Sequence, residues 1–235
     1  MIKFFRRIRY DLMKKNKSGK YLKYAIGEIV LVVIGILIAL QINNWNEQRK
    51  SNIKSTVFLN SLKNDLKNDF SQMDSIYRFR MQREKIFELL NQEIEFYSEG
   101  SKNLIDSLYS ETQGRNPTFF PTVGAYNGAL NSGTFEDLNN EALKQSIRSL
   151  YEHYYKRLFY NGEKLDDRVE KISWEHLTFF NKSKSKIFDP TVIQSGQLLA
   201  QSEYLRTTNN IYIELLITNK SQIKQVMSLI EKELN

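Results

Sequence analysis

From Ala25 to Ile42 the chain is apolar on every helical face, interrupted only by Glu28 and Gln41. Beyond Asn46 the pattern changes character. Apolar residues recur every third or fourth position at Leu59, Leu62, Leu66, Phe70, Met73 and Ile76, then at Phe87, Leu90, Ile94 and Tyr97, the spacing of one helical face. Residues 46–97 contain neither Gly nor Pro, so the pattern predicts a helix of roughly 50 residues and ~75 Å. Arg80 and Arg83 interrupt its stripe, and a kink or break is expected along it. Gly100 is the expected stop.

A second helix is expected from Asn140, a fitting N-cap, to about Asn181. Its stripe is Leu143, Ile147, Leu150, Tyr154, Leu158, Leu165, Val169, Ile172, His176 and Phe180, and Asn161-Gly162 is expected to kink or split it. A third helix follows from about Gln197 to Leu234, with Leu205, Tyr212, Leu215, Asn219, Ile223, Val226, Ile230 and Leu234 in phase. Residues 211–217 are rich in β-formers but sit inside that helical period. Between the first two helices, residues 100–135 hold five of the ten glycines and two of the three prolines. Within this connector, 122–130 reads as a short helix whose small residues Gly124, Ala125, Gly128 and Ala129 suit close packing. If the first helix is unbroken, the connector should lie at the far end of the bundle. The fold class expected is all-α: one N-terminal transmembrane helix, then an antiparallel bundle of about three long helices with a short helical insert.

Charge decides what the apolar run is. Residues 1–24 carry nine Lys/Arg against Asp11 alone, whereas the other 211 residues carry 25 basic and 26 acidic side chains. The chain's basicity is therefore a topology signal beside an apolar segment, and no nucleic-acid surface is implied. A spanning helix needs about 20 apolar residues; Tyr21 and Tyr24 at one end and Trp45 at the other are placed as interfacial anchors. Only Arg49, Lys50 and Lys54 follow in residues 43–62. The positive-inside bias then puts residues 1–23 in the cytoplasm, 24–45 across the inner membrane and 46–235 in the periplasm. A cleaved signal peptide fits less well. Its apolar core should be short and end at a small-x-small site, whereas this run continues through Ile38-Ala39-Leu40-Gln41-Ile42 with no such pair. The head has two readings. Phe4, Phe5 and Ile8 fall on one helical face with Arg6 and Arg7 mostly on the other, as in a helix lying on anionic lipid; alternatively the basic residues only set topology.

Glu28 lies about one turn inside the span, and an intramembrane carboxylate is costly. It shares a face with Gly35 and Ala39, and Gly35-x-x-x-Ala39 is a pattern that lets helices approach closely. That stripe is either a contact for a second span, from another copy or a partner, or Glu28 reaches the headgroups and the small residues are incidental.

Candidate chemistry is thin. With no cysteine there is no disulfide, thiolate metal site or cysteine nucleophile. His153 and His176 are far apart in the chain and sit in no chelating frame, and no phosphate loop, nucleophile elbow or dinucleotide fingerprint occurs. No cofactor or metal is expected. The cluster Tyr151, Tyr154, Tyr155, Phe159 and Tyr160 suits bundle packing more than a ligand ring, and 206–210 is polar, facing a cavity or water. The expectation is a non-catalytic interaction or scaffold protein whose partners are the bilayer and either a second protein or itself. A periplasmic ligand sensor is the alternative. Because the head before the span is too short to hold an output domain, such a sensor would signal through a partner. An envelope enzyme comes third.

The string YAIGEIVLVVIGILIALQINNWN at 24–46 resembles the signature of a domain-of-unknown-function family. Its members are bacterial single-pass membrane proteins with the same basic, Phe/Arg-rich head. The likeness is close over 1–50, with looser echoes at 126–135, 143–155 and 202–206. It implies an inner-membrane address and a mostly helical exterior domain, and it carries no mechanism.

Overall fold

The computed structural model describes residue 10 and residues 18–113, 116–175 and 191–235. All regular structure among these is helical. The chain divides into two compact units, Met1–Lys54 and Ser55–Asn235. The division falls nine residues beyond the end of the span read from sequence.

In the first unit the described structure is the N-terminal part of α1 (Ser18–Glu95). Its apolar side chains are exposed all round the helix: Ile29 is 64%, Leu31 62%, Leu37 57% and Leu40 53% exposed.

The second unit is a helical bundle. Its long members are α1 from Ser55 onward, a helix running from Glu141 to Glu175, and the C-terminal helix Gln197–Leu234. Between them come α2 (Lys102–Thr112), α3 (Gly124–Ser132) and a single turn at Thr191–Gln194. The Glu141–Glu175 helix consists of α4 (Glu141–Ser149), a π turn (Leu150–Tyr155) and α5 (Lys156–Glu175). We call Thr191–Gln194 α6 and Gln197–Leu234 α7. The main core joins Leu62, Leu66 and Met73 of α1 to Leu143, Ile147, Leu158 and Leu165, and to Leu216, Ile223 and Ile230 of α7. Burying each such side chain contributes about 1.5–3 kcal/mol before chain entropy is counted. A second cluster caps one end of the unit, where Ile105 and Tyr109 of α2 meet Leu90, Ile94, Val192 and Leu198.

The three long helices sit where the 3.6-residue period put them, and Asn140 caps α4 by accepting the Leu143 N–H at 3.0 Å. Several details differ. Within the second unit α1 continues to Glu95 without a break. Arg80 and Arg83 are 1% and 5% exposed and extend the inward stripe, because polar groups of the connector meet them there. α1 ends before Gly100, and α2, which the sequence reading missed, follows a 3₁₀ turn at Glu99–Ser101. The connector does not stay at the far end: residues 116–123 run back beside α1, and α3 packs near Leu59 and Leu62 in the main core. α3 buries Tyr126 and Ala129, whereas Gly124 and Gly128 are exposed with open space around them. It is Gly133, at φ 76°, that turns the chain out of α3, letting the Phe135 N–H reach back to the Ala129 carbonyl at 3.2 Å. This left-handed position favours glycine. His176, Phe180 and the expected helix end at 181 lie outside the described residues.

Gly162 does not split its helix, which runs unbroken from Lys156 to Glu175. A Cβ there would stand 3.2 Å from both the Thr118 Cβ and the Tyr212 hydroxyl, so the missing side chain is what lets the connector cross α5. Gly162→Leu should therefore destabilise the bundle by about 1–3 kcal/mol through overpacking, read as a lower urea midpoint with unchanged helical circular dichroism at zero denaturant.

Candidate functional site

An extended segment inside a helical body must find partners for its own peptide groups. Residues 116–122, the strap, find them on side chains from three helices. Arg80 donates from one guanidinium nitrogen to the Asn116 carboxamide and from the other to the Pro117 carbonyl at 2.8 Å. Asn116 and Thr118 in turn donate to the two carboxylate oxygens of Asp166 on α5. The Phe119 N–H bonds the Tyr212 hydroxyl of α7 at 3.0 Å, and the Phe120 N–H bonds Gln72 at 3.0 Å. The Arg80 guanidinium also lies 4.9 Å from the centre of the Tyr212 ring, a cation–π contact. Burial lowers Arg80 to about 10, which leaves it cationic at neutral pH. Burial is also the main cause raising Tyr212, to about 12.

The strap ends on two aspartates one turn apart on α1. One oxygen of Asp69 accepts both the Thr122 N–H, at 3.0 Å, and its hydroxyl, at 2.7 Å. Asp65 accepts the Ala125 N–H at 3.0 Å and so supplies, from a neighbouring helix, the N-terminal cap that Val123 cannot give α3. Asp69 is 1% exposed. Burial raises its pKa, and its bonds from Thr122 oppose that rise without cancelling it. The other Asp69 oxygen and the Tyr155 hydroxyl lie close and interact, yet neither meets hydrogen-bond geometry with any group among the described residues. Burial first, and the Asp69 charge second, push the Tyr155 hydroxyl well above its usual range.

Beside this junction opens a cleft of about 250 Å³ lined by Pro121, Val123, Tyr126, Asn127, Tyr151, Glu152, Tyr155, Lys156 and Phe159. The π turn shapes its wall. A π turn closes over five residues, one more than an α turn, so the inward position after Leu150 moves from Tyr154, expected from the stripe, to Tyr155, which is 1% exposed. Tyr126 stacks on Tyr151 with ring centres 4.3 Å apart and planes 13° from parallel. The Tyr151 hydroxyl donates to the Thr122 carbonyl at 3.2 Å, and the Tyr126 hydroxyl to Glu152 at 3.3 Å. Lys156 pairs with the other Glu152 oxygen. Of the aromatic cluster marked in the sequence, Tyr151, Tyr155 and Phe159 line the cleft. Tyr154 is half-buried outside it, and Tyr160 is 58% exposed under Lys164. The polar stretch 206–210 faces α1: Arg206 pairs with Glu84 at 2.7 Å, and Asn209 donates to the Arg80 carbonyl at 3.2 Å.

The candidate membrane residues belong to the other unit. Glu28 is half-buried, and Gly35 has nothing within 4 Å of where a Cβ would stand. Ala39, Tyr24 and Trp45 are exposed, and Tyr21 lies in α1. On a regular helix the rise from Tyr24 to Trp45 is about 31 Å, close to the ~30 Å hydrocarbon thickness. Phe4, Phe5, Arg6, Arg7 and Ile8 lie outside the described residues. α1 is long and apolar enough to cross a membrane, by length and composition. His153 is exposed, its ring 5.1 Å from that of Tyr154. Among the described residues no group of three His, Asp or Glu is placed to share a metal ion.

The sequence profile of one family matches residues 28–215, four-fifths of the chain, from Glu28 to the middle of α7. The chain belongs to DUF6090, a family of unknown function. No curated protein and no solved structure matches it. The DUF6090 match covers the strap, the cleft and the π turn together with most of the apolar helix.

Asp69 gives this DUF6090 chain an unusual pH signature. Its folded pKa lies above the unfolded 3.8, so the native state holds the proton more tightly. Its contribution is fully favourable below the unfolded pKa and is lost as pH rises through the folded one. Asp69→Asn should therefore be at least as stable as wild type at pH 7 and lose that relative advantage as pH falls toward 4, in urea titrations run at each pH.

Proposed function

We propose that this DUF6090 chain is a single-pass inner-membrane protein with a cytoplasmic N-terminus and a periplasmic helical bundle, acting without catalysis by contact with another envelope protein or a second copy. The observation that carries the reading is the exposed apolar surface of residues 22–42, on which Ile29, Val32, Ile36 and Ile42 are each more than half exposed. Such a surface is unfavourable in water and suited to hydrocarbon, where a helix satisfies its own backbone groups. The nine basic residues before Tyr24 support the orientation through the positive-inside bias. Alkaline phosphatase fused after Trp45 should be active and a green fluorescent protein fused there dark; the reverse pattern would sink the topology.

Contact within the membrane is the second half of the proposal. Glu28, Gly35 and Ala39 recur at seven and four residues on α1, and the open space over Gly35 supports close approach of another helix. Glu28→Leu and Gly35→Ile should each weaken self- or partner association several-fold in a membrane two-hybrid assay, while inserting normally. An undiminished signal in both variants rejects the stripe.

A further inference from the structure

The cleft beside the π turn has the features of a small-molecule site. Its walls are mostly ring and aliphatic carbon, and apart from the hydroxyls of Tyr126, Tyr151 and Tyr155 its polar side-chain groups are those of Asn127, Glu152 and Lys156. Next to it Phe120 stands 64% exposed, its ring 5.5 Å from that of Phe159, so the apolar surface continues outward from the mouth. The wall is built by an irregular turn, and π turns recur at functional sites. We propose that this cleft binds a neutral, planar aromatic compound of one or two fused rings bearing a single hydrogen-bonding group.

Size, charge and polarity each narrow the ligand. A dry apolar cavity of about 150 Å³ takes up benzene, and about 250 Å³ suits a bicyclic ring. Rings are matched to this lining because the stacked Tyr126–Tyr151 pair and Phe159 offer flat faces and edges. Neutrality follows from the rim. Glu152 already accepts from Tyr126 and Lys156, and the cations beside it hold its carboxyl below its usual range. The rim charges thus offset each other, and a charged ligand would shed water without meeting a free counter-charge. A single polar group is allowed because the exposed Asn127 side chain stands at the mouth, where its carboxamide can both donate and accept. The inference stands apart from the membrane proposal and does not depend on it.

Hydrogen–deuterium exchange on the full chain in lipid nanodiscs, with indole as the added compound, tests it. At a concentration about ten times its dissociation constant, indole should slow exchange roughly tenfold in peptides covering 119–130 and 150–160, and leave 86–112 unchanged. Indole-3-carboxylate should bind at least about tenfold more weakly. Val123→Trp, which fills the cleft from its half-exposed edge, should abolish the protection. If that variant speeds exchange throughout the bundle, Asn127→Leu replaces it, and should weaken indole while leaving naphthalene unaffected. Protection confined to 22–45, no protection at all, or equal binding of the carboxylate would overturn the proposal.

Discussion

Seven residues of irregular chain lie against the core of a helical bundle, and the rest of the second unit is arranged around satisfying them. A buried peptide group without a partner costs about 1–3 kcal/mol, and the strap presents several in succession. Helices cannot supply those partners from their backbones, which are already paired along their own axes. Side chains must do so, and they do: Arg80, Gln72 and Asp69 from α1, Tyr151 from the π turn and Tyr212 from α7. This requirement explains a buried arginine, a buried aspartate and a glycine inside a long helix in a single account. Each would otherwise be an isolated oddity.

The same constraint separates what the sequence disclosed from what it hid. Positions such as Leu62, Ile147 and Ile223 announce themselves because burial repeats with the helical turn. The Asn140 cap is equally local: one side chain and an N–H three residues on. Arg80 is different. Read along the chain it interrupts an apolar stripe, and only Asn116 and Pro117, far along the connector, make it an inward position. Gly162 read as a breaker for the same reason, since its function lies in Thr118 and Tyr212. α2 did leave a signal, in the spacing of Ile105, Leu108, Tyr109 and Thr112, which the glycines on either side of it obscured.

The cleft was half legible. Tyr151, Tyr155 and Phe159 stood out as an aromatic group, and composition favoured packing over recognition for them. Packing does claim part of each: Tyr155 sits edge-on to Phe119, with centres 5.1 Å apart, Tyr151 stacks on Tyr126, and Phe159 meets the ring of Phe120. What the sequence could not show is the π turn, because a five-residue closure has no residue signature, and without it Tyr154 rather than Tyr155 faces inward. The apolar helix is the opposite case, written entirely in local composition and needing no tertiary partner to be recognised.

The strap also fixes an order of events in biosynthesis. Its bonds join residues 36, 50 and 93 positions apart, and the last of these requires Tyr212, which belongs to α7. Contacts across such long intervals form late, after local helices exist. While the chain is still emerging from the ribosome, α1 and the connector can therefore meet only provisionally. The bond from the Phe119 N–H to Tyr212 forms only when α7 arrives, and it is lost when α7 peels away.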